Sequence, residues 1–205
     1  MSLGPDYFAD LYKKRDDPWR LQERWYEERK RALTVASLPR QRYSSALEIG
    51  CSVGALTEAL APRCDELLAV DIAQRAVEIA GERLSDQPHV SISQLDVSHA
   101  WPKGQRDLVV FSEVGYYFDA ETLAALALRA AGSLAIDGVI VSCHWRHPVD
   151  DYPLSGDEAR RIIREESGLV VVAHYIDQDF GLEVLAQRGY DSVAKREGLV
   201  EEQIS

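Results

Sequence analysis

A chain of 205 residues with 46% apolar content is long enough to bury one core. Its three scattered cysteines, Cys51, Cys64 and Cys143, give neither a disulfide framework nor a zinc site and read as reduced thiols of a cytoplasmic protein. A net charge of −11 argues against nucleic acid as a partner, because the one basic cluster, Arg29-Lys30-Arg31 with Arg24, Arg40 and Arg42, is too small to offset it. No apolar run reaches the roughly 18 residues of a membrane span, and Met1 to Phe8 lack the basic-then-apolar order of a secretory signal.

Residues 1–17 are mixed in character and are expected to be partly mobile. From about Leu21 to Ser37 the spacing of Trp25, Arg29, Leu33 and Ala36 predicts a helix, ended by Pro39. Residues 1–42 therefore form a helical arm ahead of the core, with Trp19, Trp25, Tyr26 and Arg29 as its contact residues. The arm is free to lie across a crevice as a lid, or to pack on the sheet edge.

From residue 43 to 205 the pattern alternates. Strands are expected at Ala46–Ile49, Glu66–Asp71, Val90–Leu95, Asp107–Phe111 and Val139–Cys143. Helices are expected near Gly54–Leu60, Gln74–Leu84 and Ala120–Leu134, and again at Gly156–Glu166. Continuous apolar strands separated by amphipathic helices imply a mostly parallel α/β sheet covered on both faces. An apolar run at Leu169–Tyr175 and a last strand at Gly181–Gln187 are joined across Asp177-Gln178-Asp179. A link that short permits a hairpin and no helical crossover, so the last strand should be antiparallel.

The first strand exits into Glu48-x-Gly50-x-Ser52-x-Gly54, and the second ends in Asp71. Strand, glycine turn, helix and acid-tipped strand build a nucleoside crevice at the carboxyl ends of two neighbouring strands. The phosphate-cradling Gly-Lys-Ser/Thr is absent, and so is the dinucleotide Gly-x-Gly-x-x-Gly. Glu48 makes the turn hostile to phosphate and suited to an amine, a sulfonium or bound water. Asp71 is placed to accept from both ribose hydroxyls, or to cap the helix starting near Ala73. Cys51, Ser52, Ile72 and Ser112 complete the expected cofactor set at these strand exits.

These residues, with Asp96 after the third strand, resemble the class I S-adenosylmethionine-dependent methyltransferases; most members have glycine where this chain has Ser52. A narrower resemblance runs through Asp17-Pro-Trp19, Arg24 to Arg31, Ser112 to Tyr117 and Cys143 to Pro148. These segments are similar to the nodulation protein S group, which N-methylates a de-N-acetylated glucosamine of a chitin oligosaccharide. The resemblance implies a seven-stranded Rossmann-like sheet of order 3-2-1-4-5-7-6, S-adenosyl-L-methionine as cofactor, and an amino-sugar acceptor. It also implies that Asp96 and the backbone of Val97 recognise adenine.

The acceptor side is read from the exits of the fourth and fifth strands. Glu113 is the candidate to hold or deprotonate an amine, and Tyr116 and Tyr117 offer flat walls for a sugar face or a cation. In His144-Trp145-Arg146-His147, His144 is the candidate proton acceptor, since its ordinary pKa lies near 7. Trp145, Arg146 and His147 are candidate acceptor contacts. The His144/His147 spacing lacks a third ligand, so no metal is expected. A small-molecule substrate and a monomer or weak dimer complete the expectation. The alternatives are O- or N-methylation of another small metabolite, and a non-catalytic nucleoside-binding interaction protein.

Overall fold

The computed structural model describes residues 1–200; the last five residues of the expected domain, 201–205, lie outside the described residues. Seven strands form one sheet: β1 (Ala46–Ile49), β2 (Leu67–Asp71), β3 (Val90–Gln94), β4 (Arg106–Ser112), β5 (Leu134–Trp145), β6 (Val170–Ile176) and β7 (Phe180–Ala186). Their order is β3-β2-β1-β4-β5-β7-β6. The first five run parallel, and β7 is antiparallel to both β5 and β6. The three-residue link 177–179 is the physical reason: it closes a hairpin, with Asp177 accepting from the amides of Asp179 and Phe180.

Helices α1 (Pro5–Lys14), α2 (Trp25–Ala36), α3 (Ala55–Leu60), α4 (Gln74–Arg83), α5 (Ala120–Gly132), α6 (Gly156–Ser167) and α7 (Val193–Arg196) complete the fold. Capping sets several of these boundaries. Asp119 accepts from the Thr122 amide to start α5. Ser155 and Glu158 form a capping box at α6, and Gly168 ends that helix in the left-handed conformation. The sheet core is two-sided. Leu47, Ile49, Val109, Phe111 and Ile140 pack toward α5 and α6. Ala46, Leu108, Val110, Val139 and Val141 pack on the opposite face.

Three boundaries differ from the sequence expectation. The amino terminus is helical, because Pro5 sits in the first turn and Phe8 and Tyr12 are buried. α2 starts at Trp25 and not near Leu21. The Asp17 carboxylate accepts from the amides of Leu21 and Gln22, and Arg20 adopts φ 58, so 17–24 is a turn. β5 begins five residues early, at Leu134, with a register shift against β4 between Arg106 and Leu108. Asp137 takes φ 62 beside Gly138 there, and a bulge of this kind is invisible to a hydrophobic pattern.

Candidate functional site

A cavity of about 630 Å³ opens at the carboxyl ends of β1, β2 and β4 and is roofed by α1 and α2. Its floor begins at the turn after β1. Gly50 has φ +74, and a Cβ there would lie 2.7 Å from a methyl of Val114, so the turn and the loop after β4 meet backbone to side chain. Ser52 also takes a left-handed φ, of 50°. Its strain is held from two sides. The amide donates to Asp71 Oδ2 at 2.9 Å, and the hydroxyl pairs with Tyr12 of α1 at 2.7 Å. Serine at this usual glycine position therefore ties the arm to the floor.

Asp71 faces the cavity at the tip of β2 while its Oδ1 accepts from the Ala73 amide at 2.9 Å. Burial raises its pKa, and the backbone donors work in the opposite direction. Each oxygen keeps a lone pair beyond its amide, which suits a pair of ribose hydroxyls. Glu48 is 2% exposed, and burial pushes its carboxyl up to about 8. Its Oε2 is sealed and has no hydrogen-bond partner among the described residues, although the residue itself borders the cavity.

Cys51, Ile72, Val97 and Ser112 line the same cavity. Asp96 lines it too, half-buried. Burial opposes its ionisation, but donors from Ser98 and His99 hold the carboxyl below the usual range. Gly54 does not line the cavity. A Cβ there would lie 3.1 Å from that of Ala80, so it lets the turn ahead of α3 lie close against α4.

At the acceptor end, Glu113 takes φ 57 just past β4. Its Oε1 meets Lys30 Nζ of α2 at 2.7 Å. Its Oε2 accepts from the Tyr116 hydroxyl at 2.5 Å and from the Trp145 amide at 3.0 Å. Burial pushes this carboxyl up, but Lys30 and Tyr116 outweigh it and hold the pKa below the usual range. Glu113 is therefore a fixed anion with both oxygens engaged. Lys30 is 4% exposed and also meets Glu27 Oε2 at 2.9 Å, over the face of Tyr26.

Tyr116 and Tyr117 border the cavity but are mostly core, packed with Tyr152; Tyr116 stacks on it at 4.9 Å between centroids. Trp145 lines the cavity edge-on to Tyr26. His144 corrects the sequence expectation. It is fully buried, outside the cavity lining, and its Nε2 accepts from the Gly115 amide at 3.0 Å. Burial lowers its pKa to about 4, so it is a neutral support for the turn at Gly115 and no proton acceptor for a substrate. Arg146 turns away to Asp157 and the Asp177 carbonyl, and His147 to Asp179. Of the arm residues, Trp19 and Tyr26 line the cavity. Trp25 is 70% exposed and faces outward. Arg29 binds Asp177 and Tyr175, fastening α2 to the β6–β7 hairpin.

Sequence reasoning missed Tyr12, Glu27, Lys30 and Tyr152. Glu27 and Lys30 sit in the run Glu27-Glu28-Arg29-Lys30-Arg31, which reads as a solvated face. Their i, i+3 spacing was the available signal. Among the described residues, no group of three or more His, Cys, Asp or Glu is arranged to hold a metal ion. None of the described helices is long and apolar enough to cross a membrane.

A family model of nodulation protein S matches residues 6–149. The chain belongs to the nodulation protein S family. The family member of Rhizobium tropici is 37% identical over 103 residues, covering 50% of this chain and 43% of that protein. The chain spans about half the length of the curated nodulation S proteins it matches. Among solved structures, the N-methyltransferase NodS of Bradyrhizobium japonicum WM9 in complex with S-adenosyl-L-homocysteine superposes with a TM-score of 0.78. It is 26% identical, over 89% of this chain and 97% of that one. A Pseudomonas syringae protein is 43% identical over 80% of this chain and all of its own, with a TM-score of 0.72. Family membership and the sheet order agree with the cavity at the strand exits.

Proposed function

We propose that this chain is an S-adenosyl-L-methionine-dependent N-methyltransferase of the cytoplasm. Its acceptor is the free amine of an amino sugar of the de-N-acetylated chitooligosaccharide type. The observation that carries this reading is a single cavity with two chemically distinct ends. At one end Asp71, at the tip of β2 and lining the cavity, suits a ribose. At the other end, charged groups of α2 and Glu113 lie among aromatic rings.

The cofactor, when bound, supplies a methyl group made electrophilic by its sulfonium. The chain supplies position. The turn Gly50–Ser52 lets backbone approach the ligand, Asp71 orients the ribose, and Ile72, Leu95 and Val97 wall the base. On the acceptor side, Tyr26 and Trp145 present ring faces and edges that suit a sugar. α1 and α2, pinned through Ser52 and Glu113, exclude water from the reacting pair.

Incubation with methyl-labelled S-adenosylmethionine tests the reading across deacetylated chitooligosaccharides, free glucosamine and simple phenols. Label is expected on nitrogen of the amino sugars. Label on phenol oxygen alone would favour O-methylation of another metabolite, and label on no acceptor would remove the proposed activity.

A further inference from the structure

An amine is an ammonium ion at neutral pH and must lose a proton before its nitrogen can attack. The cavity contains few groups able to take that proton. Both oxygens of Glu113 are engaged by Lys30, Tyr116 and the Trp145 amide. His144 is sealed in the core. Asp71, Glu48 and Asp96 lie on the cofactor side, on β2, on β1 and just past β3. Asp179 sits at the rim, with its side chain 47% exposed and paired to His147.

Glu27 remains. It projects from α2 into the same lining as Glu113 and Trp145 and is only 7% exposed. Its Oε2 meets Lys30 at 2.9 Å. No donor among the described residues meets its Oε1, and this oxygen is not sealed, on a side chain that lines the cavity. Resting on the N-methyltransferase reading above, we infer that Glu27 is a catalytic residue that accepts the acceptor ammonium's proton at Oε1.

The N–H bond breaks, its electron pair stays on nitrogen, and the proton makes Glu27 a neutral acid. That pair then forms the N–C bond to the methyl carbon. The C–S bond breaks with its electrons going to sulfur, and the product leaves as a methylated ammonium. Glu27 returns its proton to solvent on product release. Electrostatics support the division of labour. Around one ammonium, Glu113 is held below the usual carboxylate range, whereas burial raises Glu27 despite Lys30. Two carboxylates pushed apart in this way mark a fixed anion and a better base. The charged groups facing Glu27 are Lys30 and Arg31 on its own helix and Glu113 from the end of β4. The Lys30 charge also favours the neutral form of an amine bound beside it.

The test compares wild type, Glu27→Gln and Glu27→Asp. The measurements are methyl transfer to deacetylated chitotetraose and glucosamine from pH 6 to 10, with S-adenosylhomocysteine affinity alongside. Glu27→Gln is expected to lose about 10²-fold in kcat at pH 7, in the range for a lost general base, with cofactor affinity within about twofold. The deficit should shrink as pH rises past the amine's own pKa, where solvent has already removed the proton, and Glu27→Asp should recover part of the rate. Full activity in Glu27→Gln, or a deficit unchanged with pH, overturns the assignment and leaves the N-methyltransferase reading standing. Wild type that methylates neither amine overturns that reading, and this inference with it.

Discussion

Asp71→Ala is expected to weaken S-adenosylhomocysteine binding by about 1.5–3 kcal/mol, the range for losing a hydrogen bond to a charged group. That is roughly a tenfold to 150-fold rise in Kd. The carboxylate has two duties. It offers acceptors to the ligand, and it holds the amides of Ser52 and Ala73 at 2.9 Å each. With alanine, the Ser52 amide loses its acceptor while its left-handed backbone strain persists, so the turn over β1 loosens as well. Equilibrium dialysis with labelled ligand measures the change. Unchanged affinity would reduce Asp71 to a support for the start of α4.

Lys30→Met is expected to destabilise the fold by about 3–5 kcal/mol, the range for breaking a buried ion pair from one side. The methionine fills the space but leaves Glu27 and Glu113 facing each other without a cation. The pH dependence gives a second readout. In the wild type the Glu113 pKa is depressed. Its stabilisation is present above its ordinary value of 4.5 and is lost as pH falls through the folded value. Lys30 is shifted up, so its contribution is present below 10.5 and is lost as pH rises through the folded value. Glu27, shifted up, runs opposite to Glu113 and offsets part of its effect. Without Lys30 both carboxyls titrate above their ordinary values, so the variant should gain stability as pH falls from 8 to 5. Thermal unfolding at both pH values checks this. A parallel pH slope in both proteins would mean that Lys30 does not hold the carboxylates ionised.

The cofactor half of the cavity was legible in the sequence because it is local. Glu48, Gly50 and Ser52 follow one strand, Asp71 ends its neighbour, and both strands are short, continuous apolar runs. The antiparallel β7 was legible from a link too short for a crossover. The acceptor half was not, because its contacts span long separations: Lys30 reaches Glu113 across 83 positions, and Tyr12 reaches Ser52 across 40. Side-chain direction was hidden for the same reason. Trp25 and Lys30 share one helix, yet the aromatic residue faces solvent and the cation faces the core. His144 belongs to a promising strand exit, but the alternation along β5 turns it away from the cavity and onto Gly115.

The most direct measurement is a calorimetric titration of the wild-type chain with S-adenosylhomocysteine and, separately, with NAD. The acid-tipped β2 favours a ligand with a ribose, and the turn after β1 lacks the Gly-x-Gly-x-x-Gly that cradles a pyrophosphate. The expected result is one S-adenosylhomocysteine per chain and no NAD binding over the same concentrations. NAD binding as tightly as S-adenosylhomocysteine, or neither ligand binding, would contradict it.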